Sequence, residues 1–197
     1  MSSPAQSLYT PEQYLAMERK ATYKSEYING RILAMAGASV QHNTITANLV
    51  RALGNQFVDR PCQVFSSDMR VKVVTTGLYA YPDIVAVCGE MQIDDAQGDT
   101  LTNPSVIVEV LSHSTEVYDR GEKFAHYRKL GSLTDYVLIA QDKVRIEHYV
   151  RHDAGWFLNE LDDLDGILRL ASIGCEVPLR DVYAKVELPS TPTPPVP

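Results

Sequence analysis

The stretch from Ser105 to Leu111 constrains the fold more than any other part of the chain. It reads Ser-Val-Ile-Val-Glu-Val-Leu, a short run rich in β-branched residues that is typical of a buried strand. By the two-residue period of a strand, Glu109 shares a face with Ile107 and Leu111. An ionised carboxylate in such a strand needs a cation beside it, which is either a metal ion or a Lys or Arg in a structural ion pair.

Two helix starts and one hairpin can be predicted from local sequence. Thr10-Pro11-Glu12-Gln13 is typical of a capped helix start, and this helix is predicted to run to about residue 20. Asn29-Gly30 lies between two alternating runs and predicts a tight hairpin. A long helix is predicted for 39–58 because four apolar residues recur at every fourth position: Ile45, Leu49, Leu53 and Phe57.

The second half of the chain is predicted to be rich in strands. A helix is predicted between Ser114 and Leu130, capped either by Ser114 or by the pair Asp119 and Glu122, the second of which would explain Gly121. A final helical turn is predicted at 181–185. Strands are predicted at 64–65, 69–74, 81–87, 105–111, 136–140, 144–151 and 155–161, the last three as an antiparallel meander.

Length and composition predict one soluble domain. The 197 residues are assigned to a domain at 1–187 and a disordered tail at 188–197, which contains five prolines. No apolar run is long enough to cross a bilayer, and the N-terminus has no secretion signal, so a cytoplasmic location and no membrane partner are expected. Three scattered cysteines predict reduced thiols and no zinc site.

The net charge of −7 neither supports nor excludes nucleic-acid binding. Nine acidic residues fall in 90–99 and 153–165, two segments without Lys or Arg. The rest of the chain holds 18 basic against 16 acidic residues, so a local basic face is possible there. The spacing of His148 and His152 fits a metal site only in a helix, and in a strand the two are expected to be surface histidines.

Two carboxylates are predicted to lie on neighbouring strands. Asp83 follows Pro82 and opens an apolar run, while Glu109 lies within the next one. If the strands pair, the two side chains converge, and converging hard oxygens suit Mg²⁺ or Mn²⁺. Alone, Asp83 is better explained as a residue of a turn at the strand end.

Lys123 is the candidate cation. Asp119, Lys123 and Tyr127 are spaced to share one helix face, and the lysine is expected to point at the two carboxylates. The alternative is a solvent-facing Asp–Lys pair worth only about 0.3–0.5 kcal/mol. Glu26 before the hairpin and His42 at the start of the long helix are weaker candidates for the same site.

These motifs together resemble the Uma-type restriction endonucleases of the PD-(D/E)XK nuclease superfamily. The resemblance rests on the segments 26–30, 82–83, 109–115, 119–127 and 135–139, and on His42, and it spans most of 10–188. Its most specific part is the string Ser-x-Ser-Thr-x-x-x-Asp-x-x-x-Lys-x-x-x-Tyr, which runs from Ser112 to Tyr127.

The resemblance implies an α/β (α+β) fold with a central mixed β-sheet flanked by helices. It implies a Mg²⁺- or Mn²⁺-dependent endonuclease that hydrolyses DNA, and a homodimer. Asp83, Glu109 and the Val110 carbonyl would bind the metal, Lys123 would be the catalytic lysine, and Glu26 and His42 would lie at the edge of the site. Phosphate contacts are expected from four basic residues: Arg51, Arg120, Arg128 and Lys129.

One position departs from the superfamily pattern. The residue two after Glu109 is normally Lys and is Leu111 here, while Lys123 on the following helix fits that role. Leu111 leaves open a catalytically inactive nuclease fold that acts as a nucleic-acid-binding or protein-interaction module. A structural protein whose buried charges merely pair is a third possibility.

Overall fold

The structure, a computed structural model, describes residues 8–94 and 96–189. Helices and helical turns are α1 (Pro11–Glu18), α2 (Val40–Phe57), α3 (Glu116–Tyr118), a π-helical turn (Asp119–Lys123), α4 (Phe124–Tyr127), a 3₁₀ turn (Ala171–Ile173) and α5 (Leu179–Val182). Strands are β1 (Ser25–Ile28), β2 (Arg31–Ala34), β3 (Cys62–Ser66), β4 (Arg70–Val73), β5 (Leu78–Ala80), β6 (Ile84–Cys88), β7 (Thr100–Leu101), β8 (Val106–Leu111), β9 (Asp135–Ala140), β10 (Ile146–His152), β11 (Gly155–Leu161), β12 (Ile167–Leu170) and β13 (Cys175–Pro178).

A six-stranded mixed sheet forms the centre, in the order β11-β10-β9-β8-β6-β3. Strands β8 and β9 are parallel, and the other neighbours in this sheet are antiparallel. Strand β8 is buried along its whole length, as its apolar sequence predicts. The pairing of Ile84 with Val108 sets the register that brings Asp83 opposite Glu109.

Both faces of this sheet are covered. On one face, the predicted stripe of α2 packs with its four residues buried, together with the β12–β13 hairpin and α5. On the other face lie α4 and a five-stranded sheet in the order β2-β1-β5-β4-β7. The expected mixed sheet with flanking helices is confirmed, whereas the second large sheet was not expected.

Several predictions from local sequence are confirmed. Thr10 and Gln13 form the reciprocal capping box of α1, and Ser39 caps α2 by accepting a hydrogen bond from the His42 N–H. Asn29 and Gly30 connect β1 to β2 with φ of 50° and 81°, the left-handed values that this turn requires. The meander of β9, β10 and β11 is antiparallel as predicted.

The helix predicted between 114 and 130 is present but interrupted. It starts at Glu116 after Thr115, not after Ser114, and neither Asp119 nor Glu122 caps it. Instead, residues 119–123 form a π-helical turn that contains Gly121. Such turns occur mostly as single insertions within α-helices, frequently at functional sites.

Two other predictions are wrong. Cys62 and Cys88 form a disulfide between the paired strands β3 and β6, whereas Cys175 is buried and reduced. The pairing of β3 with β6 brings the two cysteines together, which their spacing along the chain does not reveal. His148 is buried and lies 2.7 Å from Asp135, so it is an internal partner of a carboxylate, not a surface residue.

The predicted C-terminal tail begins at the edge of the described residues. Most of the predicted tail, 190–197, lies outside the described residues, so the boundary at 187 stays a prediction.

Within the described part of the chain, no helix combines the length and the apolar character needed to cross a bilayer.

Candidate active site

Asp83 lies at the point where β6 begins. Its Oδ2 accepts a hydrogen bond of 2.7 Å from the Val110 N–H and lies 3.0 Å from His42 Nε2. Pro82 has no N–H to donate to a neighbouring strand, so the regular backbone pairing stops here. The Val110 N–H donates instead to the side chain of Asp83. The predicted strand 81–87 therefore starts three residues later, and its first residues form part of the site.

Glu109 lies beside Asp83 on β8 and is only 3% exposed. Its Oε1 is 3.0 Å from Lys123 Nζ and accepts a 3.3 Å hydrogen bond from the Tyr127 hydroxyl. Its Oε2 is 3.4 Å from the Asp83 amide nitrogen. The pairing of β6 with β8 therefore places the two residues side by side, as predicted.

Lys123 comes from the π-helical turn and points inward. Its Nζ is 3.0 Å from Glu26 Oε1, 3.0 Å from Glu109 Oε1 and 3.4 Å from Asp119 Oδ1. Both Lys123 and Asp119 are buried, so the alternative of a solvent-facing pair on the helix surface is wrong. The π-helical turn brings Asp119 and Lys123 to the same side as the two strand carboxylates.

The site holds more acid than base. Burial raises the pKa of the Glu109 carboxyl well above its ordinary range; the Lys123 ammonium opposes this, and the carboxylates of Asp119, Asp83 and Glu26 add to it. Burial also disfavours the charged lysine, but Glu109 and its neighbours outweigh that effect and raise the pKa of Lys123. One ammonium thus faces an excess of carboxyl groups, and the site favours an additional positive charge.

Glu26 and His42 both reach the site, as predicted. Glu26 on β1 contacts Lys123, and its Oε1 is 3.4 Å from the Tyr81 amide nitrogen. His42, in the first turn of α2, contacts Asp83 through Nε2 while its buried Nδ1 has no hydrogen-bond partner among the described residues. The contact with Asp83 makes His42 a group that positions this carboxylate.

These side chains line one open cleft of about 780 Å³. Its wall also contains Thr46 and Tyr118, whose buried hydroxyl groups have no hydrogen-bond partner among the described residues. An adjoining pocket of about 370 Å³ shares Ser112 and Gln141 with the cleft. The cleft therefore offers unpaired hydrogen-bonding groups beside the charged cluster.

Several residues of this cleft were missed by sequence reasoning. Thr46 lies one helical turn after His42, so the helix period points to it. Tyr118 comes directly before Asp119, and no periodic signal points to it. Of the expected phosphate contacts, Arg51, Arg128 and Lys129 do not line the cleft. Arg120 lines the adjoining pocket, where it pairs with Glu147.

The residues where β6 begins, together with their neighbours on β8, offer donors that suit a divalent cation. Asp83 and Glu109 are adjacent hard-oxygen donors, and the peptide of Val110 borders both because its N–H bonds to Asp83. The described residues contain no cluster of three or more His, Cys, Asp or Glu side chains arranged for a metal. Mg²⁺ and Mn²⁺ accept two carboxylates together with a backbone carbonyl and water, and these residues offer the same types of donor.

Known proteins resemble the chain over most of its length. In Synechocystis sp. (strain ATCC 27184 / PCC 6803 / Kazusa), the uncharacterized protein sll1609 is 42% identical over 78% of this chain and 88% of its own length. From the same organism, the uncharacterized protein slr1290 is 36% identical over 88% of this chain and 90% of its own length.

A solved structure shares the fold. The crystal structure of "a putative nuclease belonging to DUF820" from Anabaena variabilis ATCC 29413 superposes with a TM-score of 0.73 and 18% identity, over 88% of this chain and 96% of that chain. The family model described as "Uma2: Putative restriction endonuclease" matches residues 11–179, a range that contains all five predicted site side chains. The chain therefore belongs to the Uma2 family.

Proposed function

We propose that the protein is a metal-dependent endonuclease that hydrolyses DNA phosphodiester bonds in this cleft. One observation carries the proposal: a buried ammonium, Lys123, lies 3.0 Å from Glu109, which adjoins Asp83 at an open cleft. Two adjacent carboxylates and one lysine are the groups that this chemistry needs. The match to a restriction endonuclease family model supports the assignment.

Asp83, Glu109 and the Val110 carbonyl are the groups that would hold Mg²⁺ or Mn²⁺. Bound there, the cation would neutralise charge on the phosphate and lower the pKa of a water molecule. Lys123 would stabilise the negative charge that develops on the phosphate oxygens in the transition state. Glu26 and Asp119 are the other contacts of its ammonium, and they fix its position and keep it protonated.

His42 and Tyr127 act through the carboxylates. His42 Nε2 bonds to Asp83, and the Tyr127 hydroxyl bonds to Glu109, so each fixes the orientation of one carboxylate. Leu111, at the usual lysine position, is buried among apolar residues of the core. The positive charge of the site therefore comes from the helical segment after β8, not from β8 itself.

Cleavage of circular DNA tests the proposal. We expect wild-type protein with Mg²⁺ or Mn²⁺ to open supercoiled or single-stranded circular DNA, and EDTA to abolish the reaction. Asp83→Asn keeps the shape but loses the charge of one ligand, and it is expected to reduce the rate about 10²-fold. The matched control is Asp59→Asn, which removes the charge of an exposed carboxyl group two residues after α2. Equal rates for wild type and Asp83→Asn would refute the assignment.

Metal binding can be tested without catalysis. At about 100 times its dissociation constant, Mn²⁺ is expected to stabilise the wild type by about 2.7 kcal/mol. For a chain of this size, that corresponds to a rise in Tm of about 5–10 °C. Asp83→Asn should lose most of this shift, whereas Asp59→Asn should retain it. A shift of the same size in Asp83→Asn would place the metal elsewhere.

The inactive binding module remains the competing function because of Leu111. It shares the fold but predicts no rise in Tm with Mn²⁺ and no cleavage under any condition, so a clear metal-dependent rise in Tm would count against it. The inward orientation of Lys123 favours the enzyme, because an ammonium next to the carboxylate pair supplies the charge that Leu111 lacks.

A further inference from the structure

The cleft has little positive charge available for a polyanion. Its lining contains two lysines, Lys24 and Lys123, and four carboxyl groups, while the one histidine, His42, contacts Asp83. Lys24 lies 2.5 Å from Asp68 and donates a 2.8 Å hydrogen bond to the Ser67 carbonyl. Lys123 is engaged by three carboxylates. Both cations are therefore already paired within the protein.

The adjoining pocket does not supply the missing charge, because Arg120 and Lys143 line it together with three carboxyl groups, those of Glu116, Asp142 and Glu187. Arg120 in the adjoining pocket pairs with Glu147 and also lies 3.8 Å from Glu116. Duplex DNA carries about one negative charge per 1.7 Å of its axis, and its binding rests on neutralising several phosphates with Lys and Arg. The cleft is poorly suited to that mode of binding.

The cleft is lined instead by aromatic rings and neutral hydrogen-bonding groups. Tyr23 lies at the cleft, and its side chain is 67% exposed. Tyr81 and Tyr118 form part of the wall, and the buried hydroxyl of Tyr118 has no hydrogen-bond partner among the described residues. Stacking on exposed aromatic rings is how proteins hold the bases of single strands, and base faces are accessible only when unpaired.

Two charged groups of the site, Glu109 and Lys123, are also recessed. Glu109 is 3% and Lys123 is 5% exposed, so a phosphodiester must enter the cleft to reach them. A volume of about 780 Å³ is that of a pocket for a small ligand. A flexible single strand can bend one phosphate and its neighbouring bases inward, whereas a duplex is stiff over about 150 base pairs.

We propose that the cleft takes an unpaired segment of DNA, with a base stacked on Tyr23, in preference to an intact duplex. This rests on the proposed function and specifies the form of its substrate. Recognition then comes from ring faces and neutral hydrogen bonds, and few phosphates are contacted.

The experiment compares cleavage of a mixed-sequence single strand that lacks self-complementarity with cleavage of its own duplex, both with Mn²⁺. We expect kcat/KM at least tenfold higher for the single strand. Because few phosphates are contacted, KM for the single strand should depend only weakly on salt. A plot of log KM against the logarithm of the salt concentration should have a slope of ~1. A duplex cut as efficiently as the single strand, or a steep salt dependence, overturns the proposal.

Tyr23 supplies the matched variants. Tyr23→Ala is expected to raise KM for the single strand about tenfold with kcat unchanged, and Tyr23→Phe to restore the wild-type value, because the ring and not the hydroxyl stacks. An unchanged KM in Tyr23→Ala overturns the stacking site.

The same assays separate this proposal from the proposed function. If duplex and single strand are cut equally, the nuclease assignment stands and the preference for unpaired DNA fails. If wild-type protein hydrolyses neither DNA nor bis(p-nitrophenyl) phosphate with Mn²⁺, the nuclease assignment fails and the substrate preference fails with it.

Discussion

Lys123→Met is expected to reduce DNA cleavage by about 10³-fold and to lower stability by about 3–5 kcal/mol. Methionine retains the length and apolar stem of lysine but removes the ammonium that Glu26, Glu109 and Asp119 share. These three buried carboxyl groups are then left without a cation, which is costlier than losing an exposed ion pair. Thermal unfolding without added metal and cleavage of circular DNA with Mn²⁺ measure the two effects.

Two further variants separate catalysis from folding. Lys129→Met removes an exposed lysine from the following turn and should leave both stability and cleavage close to wild type. Lys123→Arg keeps the charge, so most of the stability should remain, while the planar guanidinium misplaces the charge and cleavage should still fall. Wild-type cleavage by Lys123→Met would contradict a catalytic role, even if that variant were less stable.

The convergence of Asp83 and Glu109 was predictable because strand pairing determines it. Two short apolar runs that follow one another along the chain pair in an antiparallel sheet, and each carries its carboxyl group at the end they share. The inward orientation of Lys123 followed from the helix period and the need of Glu109 for a cation. These parts of the site depend on local periodicity and on the cost of burying charge, and both can be deduced from a sequence.

Other parts of the site depend on tertiary packing that no local pattern encodes. The π-helical turn lies where Asp119 and Lys123 are buried against the strands, and capping signals within that stretch pointed instead to a helix start. Glu26 reaches Lys123 because β1 belongs to a second sheet packed on the first, a contact between segments about a hundred residues apart. Neither the second sheet nor its position follows from strand patterns alone.

The buried His148 and the disulfide have the same origin. His148 looked like a surface residue because its strand alternates with charged residues, yet Asp135 on the paired strand β9 gives it a buried partner. Ser172 also donates a hydrogen bond to Asp135, so this second polar cluster joins the meander to the C-terminal segment. Hydrogen bonds to a buried carboxylate compensate its desolvation, and here they come from segments far apart in sequence.

Glu109→Gln is expected to abolish measurable cleavage and, in the metal-free protein, to raise stability. The amide retains the shape but cannot supply the charge that a divalent cation requires, so cleavage should fall about 10³-fold. Stability should rise because one negative charge leaves a buried group in which Asp83, Glu26 and Asp119 already outnumber Lys123. An increase of about 1 kcal/mol corresponds to a Tm rise of about 2–4 °C in a domain of this size.

The stability gain should depend on pH in a definite direction. Burial first, and then neighbouring carboxylates, hold the pKa of Glu109 above its ordinary range in the folded protein, so its ionisation favours unfolding. This cost is absent at low pH and grows as the pH rises above the ordinary carboxyl range. Glu109→Gln should therefore exceed the wild type by more at about pH 8 than at about pH 5.

Glu122→Gln is the control for this experiment, since Glu122 is an exposed carboxyl on the same turn as Lys123 and should change neither quantity. Mn²⁺ should stabilise the wild type and reverse the order of the two melting temperatures, because only the wild type retains both carboxylates. If Glu109 instead served only to pair with Lys123, Glu109→Gln would lower the Tm in the absence of metal at every pH. That outcome would favour a structural role for the buried charges over a metal-binding one.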